Sequence, residues 1–475
     1  MGDRELWLFI DFGSTFTKVV AIDPATETIR ARVQAPTTVS TDITEGLGAA
    51  LRLLEREVGA GATYTRKLAC SSAAGGLRMV TVGLVPDLTS EAARLAALGA
   101  GAKVVGTFSY KLPASDLARI KDLSPDLILL AGGTDGGNEE VILQNARGLA
   151  ALDLAAPLIV AGNRVVADEA AAILRAGGKE PVVADNVMPE FGRLSVEPVR
   201  ERIREIFITH IVKAKGLQAA ERFVEGILMP TPNAVLNAAV LLADGFPGEP
   251  GLGELVVLDV GGATTDVHSV ARGTPTDAGA VVKGLHEPYA KRTVEGDLGV
   301  RSNLWNVVEA MGAQAPPAPP ADPEISPHAF SAVAERFARD ATLTPETAEE
   351  AAVDAALAGV AVGQAMRRHA GSVEVFYSAQ GPISVVRGKD LRGVSLVLGT
   401  GGPLVFSPRR EAILRQACYD PAERASLRPV DPRLYIDSEY AMFAFGLLGE
   451  LDSKLAVRML KRYCRPMDEG TGNGR

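Results

Sequence analysis

The chain has 475 residues, of which 47% are hydrophobic and 23% charged, and carries a net charge of -9. That length exceeds one ordinary hydrophobic core and asks for two or three lobes, and the composition excludes a disordered or membrane-buried chain. The acidic balance, with no basic run longer than Arg367-Arg368 or Arg409-Arg410, argues against a nucleic-acid surface, and no apolar run reaches the ~20 residues that span a bilayer.

In chain order, the start from Asp3 to Ile10 reads as a charged-then-apolar strand, too short for a signal peptide. A soluble, cytoplasmic protein is expected. Leu6 to Ile22 forms two strands around a Gly-Ser-Thr turn, and Thr28–Ala35 is a third. Asp42 to Val58 is an amphipathic helix with Ile43, Leu47, Leu51, Leu54 and Val58 on one face. Three strands before a helix open a mixed sheet, whereas a Rossmann unit would place the helix after the first strand. From Leu68 to Val187 strands alternate with Ala/Leu-rich helices: Met79–Val85, Lys103–Phe108, Leu127–Ala131, Pro157–Ala161 and Val182–Ala184 are strands, and Ser90–Leu98 and Val141–Ala151 helices. This predicts a parallel sheet covered by helices. Val199 to Lys215 is helix-forming and leads into Pro230–Leu242. A strand at Leu255–Asp259 opens the second half. Gln314–Pro327, with six prolines, reads as an exposed connection. Ala348–His369 is helical, Val373–Leu404 strand-rich and Ile436–Leu460 helical, and Asp468–Arg475 is a polar tail.

Two segments carry chemistry. Ile10-Asp11-Phe12-Gly13-Ser14-Thr15-Phe16-Thr17-Lys18 and Leu258-Asp259-Val260-Gly261-Gly262-Ala263-Thr264-Thr265-Asp266-Val267 each place an Asp at the end of an apolar strand, then a turn of small residues, then a second strand. Small residues let backbone N–H groups approach phosphate oxygens. The hydroxyls of Ser14, Thr15, Thr264 and Thr265 add donors, and Asp11 and Asp259 suit Mg²⁺ and its waters. One Gly-Gly turn after a strand is commonly a plain hairpin. Two Asp-x-Gly hairpins, one opening each half of the chain, predict a clamp on one nucleotide's phosphates. A third segment, Ser395 to Leu404, supplies Gly399, Gly401 and Gly402 after a strand, suited to close passage over an adenine ring. Ala234–Ala243 and Tyr440–Leu448 carry small residues (Ala238, Ala239, Ala441, Ala444, Gly446) that let two helices cross closely at a hinge. No Gly-x-x-x-x-Gly-Lys-Ser/Thr motif occurs.

This motif order resembles the actin-like ATPase superfamily. The fold class it implies is α/β: two lobes of duplicated ribonuclease-H-like cores, with an additional α/β module in the first lobe. More closely, the chain resembles the glutamate mutase L family, accessory proteins of adenosylcobalamin-dependent mutases and aminomutases. That likeness is carried by the stretch from Ser71 to Gly106, by "PDLILLAGGTDGGN" from Pro125 and by "RTVEGDLGVRSN" from Arg292. Ala263 departs from the superfamily, where many members have a third glycine. The organisation expected is opening strands and first phosphate loop over 1–70, an inserted module over 71–190, hinge helices over 191–252, a second lobe over 253–467 and a tail over 468–475.

The resemblance implies MgATP bound by Asp11, Gly13, Ser14, Thr15, Lys18, Asp259, Gly261, Gly262, Thr264, Thr265, Asp266, Glu295, Gly296, Gly399, Gly401 and Gly402. Asp11 and Asp259 would serve catalysis and the metal, and a cobalamin mutase would be the partner, with no nucleic acid or membrane. Glu295-Gly296-Asp297 sits where relatives approach the ribose, although a plain helix N-terminal turn explains it almost as well. Gly132 to Asn138 is either an anion site at a helix N-terminus or a flexible loop. His268 follows Asp266 in the Asp-x-His order of cobalamin-binding domains, but Ala271 stands where that signature has Gly, so direct cobalamin ligation is not expected. An activator of 2-hydroxyacyl-CoA dehydratases shares the Gly-Ser-Thr-x-Thr-Lys loop but needs two placed cysteines per subunit for its cluster, and Cys70, Cys418 and Cys464 show no such pattern. A small-molecule kinase, with Asp135 or Asp297 as base by type, and a filament-forming protein also share this motif order.

Overall fold

The computed structural model describes residues 5–38, 42–59, 62–72, 77–211, 223–277, 279–313, 327–378 and 381–467. The proline-rich connection up to 326, the tail from 468, residues 73–76 and the far end of the helix expected after Val199 lie outside them.

The first half opens with β1 (Glu5–Phe12), β2 (Phe16–Asp23) and β3 (Thr28–Pro36), an antiparallel meander. The helix Ile43–Val58 follows, started by Asp42, whose side chain accepts from the Thr44 amide, and stopped at Gly59 with φ 93°. Its buried face, Ile43, Leu47, Ala50 and Leu54, packs on the sheet against Leu8, Ile10 and Val19. β4 (Thr63–Ser71) returns parallel to β1.

The chain then builds a separate sheet from β5 (Arg78–Val82), β6 (Lys103–Phe108), β7 (Leu127–Leu130), β8 (Leu158–Val160) and β9 (Pro181–Val183). All pairings are parallel, in the order β6-β5-β7-β8-β9. This is a doubly wound order, which reverses direction between the first and third strands. Its strands are short and apolar because helices such as Glu91–Gly99 and Glu140–Ala150 cover them. After the helix Glu197–Ile206, β10 (Gly226–Pro230) pairs with β4 and completes the first-lobe sheet in the order β10-β4-β1-β2-β3.

The helix Thr231–Asp244 leaves β10 directly, with Pro232 in its first turn where no N–H is needed. A two-residue pair, β11 (Gly245–Phe246) and β12 (Glu249–Pro250), leads into the second half. There β13 (Leu255–Val260), β14 (Thr265–Val270), β15 (Val281–Lys283) and β16 (Ala290–Glu295) precede the long helix Ala348–His369. Its start is fixed by a Thr347–Glu350 capping box. Then come β17 (Ser372–Ser378), β18 (Gly381–Arg387), β19 (Leu396–Thr400), β20 (Arg433–Asp437) and β21 (Cys464–Pro466).

The second sheet runs β16-β14-β13-β19-β20-β21. Setting aside the added β21, both lobes have the order third-second-first-fourth-fifth, with three antiparallel strands and then two parallel ones. These are the duplicated ribonuclease-H-like cores of the actin-like ATPase fold. The stretch expected to be helical from Ile436 begins differently: Ile436 and Asp437 finish β20, and the helices are Met442–Leu448 and Ser453–Tyr463. The apolar run Leu434 to Ile436 alone does not distinguish strand from helix.

Between the lobes the helices Thr231–Asp244 and Met442–Leu448 cross at backbone contact. A Cβ on Gly446 would sit 1.9 Å from the Ala234 carbonyl oxygen, so only glycine fits there. These helices and Ser453–Tyr463 share one buried core with Phe9, Val20 and Ile22 of the first sheet and Leu255, Val257 and Leu398 of the second.

Candidate nucleotide cleft

The β1–β2 and β13–β14 hairpins have the same construction. Gly13 N–H donates to the Phe16 carbonyl at 3.2 Å, and Gly261 N–H to the Thr264 carbonyl at 2.9 Å. Each bond closes a four-residue turn directly after an Asp-x pair. Both turns border a cavity of about 890 Å³, so the lobes present them to a common space. A Cβ added to Gly262 would lie 3.5 Å from Thr15 Oγ1, which shows how closely the two turns face each other.

Of the residues expected to bind nucleotide, Asp11, Gly13, Ser14, Thr15, Lys18, Asp259, Gly261, Gly262, Thr264, Asp266 and Gly402 line this cavity. The others lie off its wall, each for a packing reason. Thr265 is fully buried and donates its hydroxyl to the Leu298 carbonyl. Glu295 pairs with Arg368 at 2.7 Å, and Lys103 lies over Gly296. Gly399 is covered by Leu404 and Ile436, and Gly401, at φ 94°, presses on the Val260 backbone. Asp297 also pairs with Arg368, at 2.8 Å.

The two carboxylates differ. Asp11 is fully buried, ion-paired with Lys18 Nζ at 2.8 Å, and accepts the Thr231 hydroxyl at 2.5 Å. Burial works against the Lys18 charge, yet Asp11 beside it raises the ammonium above its ordinary range. The Lys18 ammonium also lies 4.4 Å from the centre of the Tyr440 ring. Asp259 has no ion pair among the described residues. Loss of water pushes its carboxyl up to about 7 despite the attraction of Lys18, and the neighbouring Asp266, Asp11 and Asp437 add repulsion. A carboxyl on the cavity wall that is short of positive charge fits a divalent cation beside it, which would supply that charge. No group of three or more His, Cys, Asp or Glu side chains among the described residues could hold a metal ion. A Mg²⁺ placed there would take most of its ligands from phosphates and water, the usual mode for that ion.

Several side chains that shape the cleft were not among the expected site residues, although Arg292, Arg301 and Asn303 stand within the "RTVEGDLGVRSN" stretch. Arg292 is buried, pairs with Asp266 at 2.8 Å and donates to the Leu98 and Ala102 carbonyls of the inserted sheet's first helix and following turn. Arg301 lies under Gly262, pairs with Asp354 at 2.6 Å and stacks over Phe337 at 4.2 Å. Asn303 Nδ2 donates to the carbonyls of Ala263 and Gly296. Asp437 is fully buried, accepts the amides of Ala441 and Met442 and the Thr400 hydroxyl, and so fixes the adenosine-type loop to the start of a hinge helix. Arg32 of the first lobe stacks against Phe406 and Tyr440 of the second.

Among the described residues the inserted sheet meets the cleft at its N-terminal end: Leu77, Gly101 and Lys103, all before its strands begin or at their N-terminal ends, line the cavity. The loop Gly132 to Asn138 is at the opposite, C-terminal end, between β7 and the helix Glu140–Ala150. It is tied down from within. Asn186 Nδ2 donates to Asp135 at 2.9 Å, the Gly136 amide donates to Asn163, and Asn138 accepts the Val141 amide. Around it Tyr110, Val165 and Phe191 stand exposed. His268 is fully buried, and burial pushes its ring well below the usual range.

The model of the family described as MutL protein matches residues 7–464. The protein described as Protein MutL from Clostridium tetanomorphum is 47% identical over 460 residues, 97% of this chain and 99% of that one. Among solved structures, nucleotide-free acetone carboxylase aligns at a TM-score of 0.41 with 13% identity, over 93% of this chain and 70% of that chain. The activator of the 2-hydroxyisocaproyl-CoA dehydratase from Clostridium difficile with bound ADPNP aligns at 0.30 with 10% identity, over 96% and 98%. Scores this low add no argument to the fold, which the two strand orders carry. No helix among the described residues is long and apolar enough to cross a membrane.

Proposed function

The chain belongs to the MutL protein family, glutamate mutase L, and from that premise we propose that it is an ATP-driven reactivating chaperone for adenosylcobalamin-dependent mutases or aminomutases. One observation supports the reading above others: two phosphate-type hairpins, one from each duplicated sheet, face a single cavity across a helix crossing packed at backbone contact. A ligand shifts a two-lobed equilibrium only by its differential affinity for the two states, and a γ-phosphate gripped from both sides supplies that difference. MgATP is the ligand, with Asp11 and Asp259 placing the metal and its waters, and hydrolysis resets the clamp in the cytoplasm. The client docks on the C-terminal edge of the inserted sheet, around Gly132 to Asn138, where Tyr110, Val165 and Phe191 are exposed. That edge lies away from the nucleotide and moves with the lobe that carries it.

The cysteines support the same choice. Cys70 and Cys464 are buried, and burial pushes both thiols well up. Only Cys418 is half-buried, so a cluster shared between two subunits lacks its two accessible thiolates.

The test is a mutase stalled on inactive cobalamin. Addition of the protein with MgATP restores turnover over repeated rounds, whereas a non-hydrolysable ATP analogue does not sustain it. Stoichiometric phosphorylation of a metabolite with ATP loss would replace the chaperone by a kinase.

A further inference from the structure

Away from the cleft, β15, β18 and β17 form a small three-stranded sheet in the order β15-β18-β17. β17 pairs with β18 over Ser372–Ser378 and Gly381–Arg387 without a register shift. At its base the outer edge of β17 is engaged, because Val373 N–H donates to the Ala425 carbonyl and Ser372 bridges Ser426. Beyond Val373 no further strand pairs with that edge among the described residues.

The exposed part is apolar on both faces. Tyr377 is 86% exposed, Phe376 and Val375 each 52% and Ile383 38%, and Val281 of β15 is 52% exposed on the neighbouring strand. Soluble proteins blunt such edges with lysine, proline, a bulge or short length. β17 has seven residues, no lysine, no proline and no bulge. Its only charge is Glu374.

We propose that this edge pairs with the same edge of a second copy of the chain, joining two sheets into one across a two-fold axis. The self-complementarity of the strand supports that occupant. Directly opposed residues in an antiparallel pair share a face, so a two-fold axis normal to the sheet opposes positions of equal parity. Centred on Phe376, the pairing sets that ring against its own copy, Val375 against Tyr377 and Glu374 against the uncharged position 378. Like charges never meet, and the segment already held by Ala425 stays outside. A two-fold contact of this kind is closed, so it yields dimers and not filaments.

The test uses the full chain with Cys418→Ser, so that no accessible native thiol competes. Sedimentation velocity at micromolar concentration should give a dimer for this protein and a monomer for Phe376→Glu, a change at an exposed position whose circular dichroism should match the parent. In the same background Phe376→Cys should cross-link to its own copy under mild oxidation, since directly opposed Cβ atoms lie about 4.5–5.5 Å apart. Glu374→Cys, two positions off the axis, should not. A monomeric parent protein, or cross-linking that ignores position, overturns the proposal. So does a Phe376→Glu variant that stays dimeric. None of these readings involves ATP or a mutase.

Discussion

The β1–β2 and β13–β14 hairpins are alike in backbone but differ in how their carboxylates are balanced. Each closes its turn with the same glycine-to-carbonyl bond and each follows an aspartate at a strand end. Asp11 is saturated: buried, paired with Lys18 and hydrogen-bonded by Thr231. Asp259 stands on the cavity wall without a counter-ion and is held up near 7. The two turns are thus alike in backbone, but one carboxylate is held by two partners and the other is short of a positive charge. The difference assigns distinct work to two residues that local sequence presents as equals.

The largest expected effects break that symmetry. Asp11→Asn and Asp259→Asn should each abolish Mg²⁺-dependent ATP turnover, a loss of at least about a hundredfold, because positioning of the metal and its water needs both carboxylates. Unfolding by denaturant should separate them. Asp11→Asn leaves Lys18, half-buried on the cavity wall, without its anion and should cost up to about 3–5 kcal/mol, while Asp259→Asn removes no partner and keeps or raises stability. Wild-type turnover in either variant would remove that residue from the site. Equal loss of stability would erase the distinction between the hairpins.

A subtler separation comes from pH. The folded Asp259 carboxyl titrates near 7 against an ordinary 3.8. The folded protein therefore keeps a proton that the unfolded chain has lost, and stability falls as pH rises between those values and levels off above about 7. Lys389 does not interfere in that window. Burial holds its folded pKa at about 7 against 10.5, so its contribution changes only above 7, where rising pH stabilises the fold. His268 and His369, whose buried rings are held well below their ordinary range, add an opposite slope below about 6.5 that the wild type and Asp259→Asn share. The test is therefore the difference: from pH 5 to pH 7 the thermal midpoint of the nucleotide-free wild type should fall relative to that of Asp259→Asn. Parallel curves would show that Asp259 carries none of the slope.

These contrasts mark how far the sequence could be read. The two hairpins and the alternation of the inserted sheet were legible because their signals are local: a strand, a turn of small residues, a period of two or 3.6. The partners that make the hairpins unequal were not. Thr231 reaches Asp11 across 220 residues and Arg292 reaches Leu98 across 194; a lone Thr or Arg carries no mark of its partner. Gly399 and Gly401 illustrate the converse. Their glycine character is real but answers to Leu404, Ile436 and the Val260 backbone, not to the cavity. Glu295 reads as a ribose contact until Arg368, 73 residues on, is seen to take its carboxylate.

The smallest expected effect tests whether the turns themselves differ as their aspartates do. A Cβ on Gly13 would stand 2.6 Å from the Phe16 carbonyl oxygen, a backbone atom that cannot withdraw without opening the turn. Gly13→Ala should therefore cost about 1–3 kcal/mol of stability, the range for forced overpacking. At Gly262 the added methyl meets Arg301 Cγ at 3.4 Å and Thr15 Oγ1 at 3.5 Å, ordinary contacts. Gly262→Ala should leave folding within about 0.5 kcal/mol of the wild type. The same methyl projects into the gap between the two turns, where the proposed clamp would hold phosphate, so ATP affinity should fall about tenfold, or about 1.4 kcal/mol. Calorimetric titration with ATP beside a denaturant curve on one preparation reads both quantities. If Gly262→Ala binds ATP as the wild type does, the phosphates do not run between the hairpins. If it unfolds as readily as Gly13→Ala, the second turn is as closed as the first.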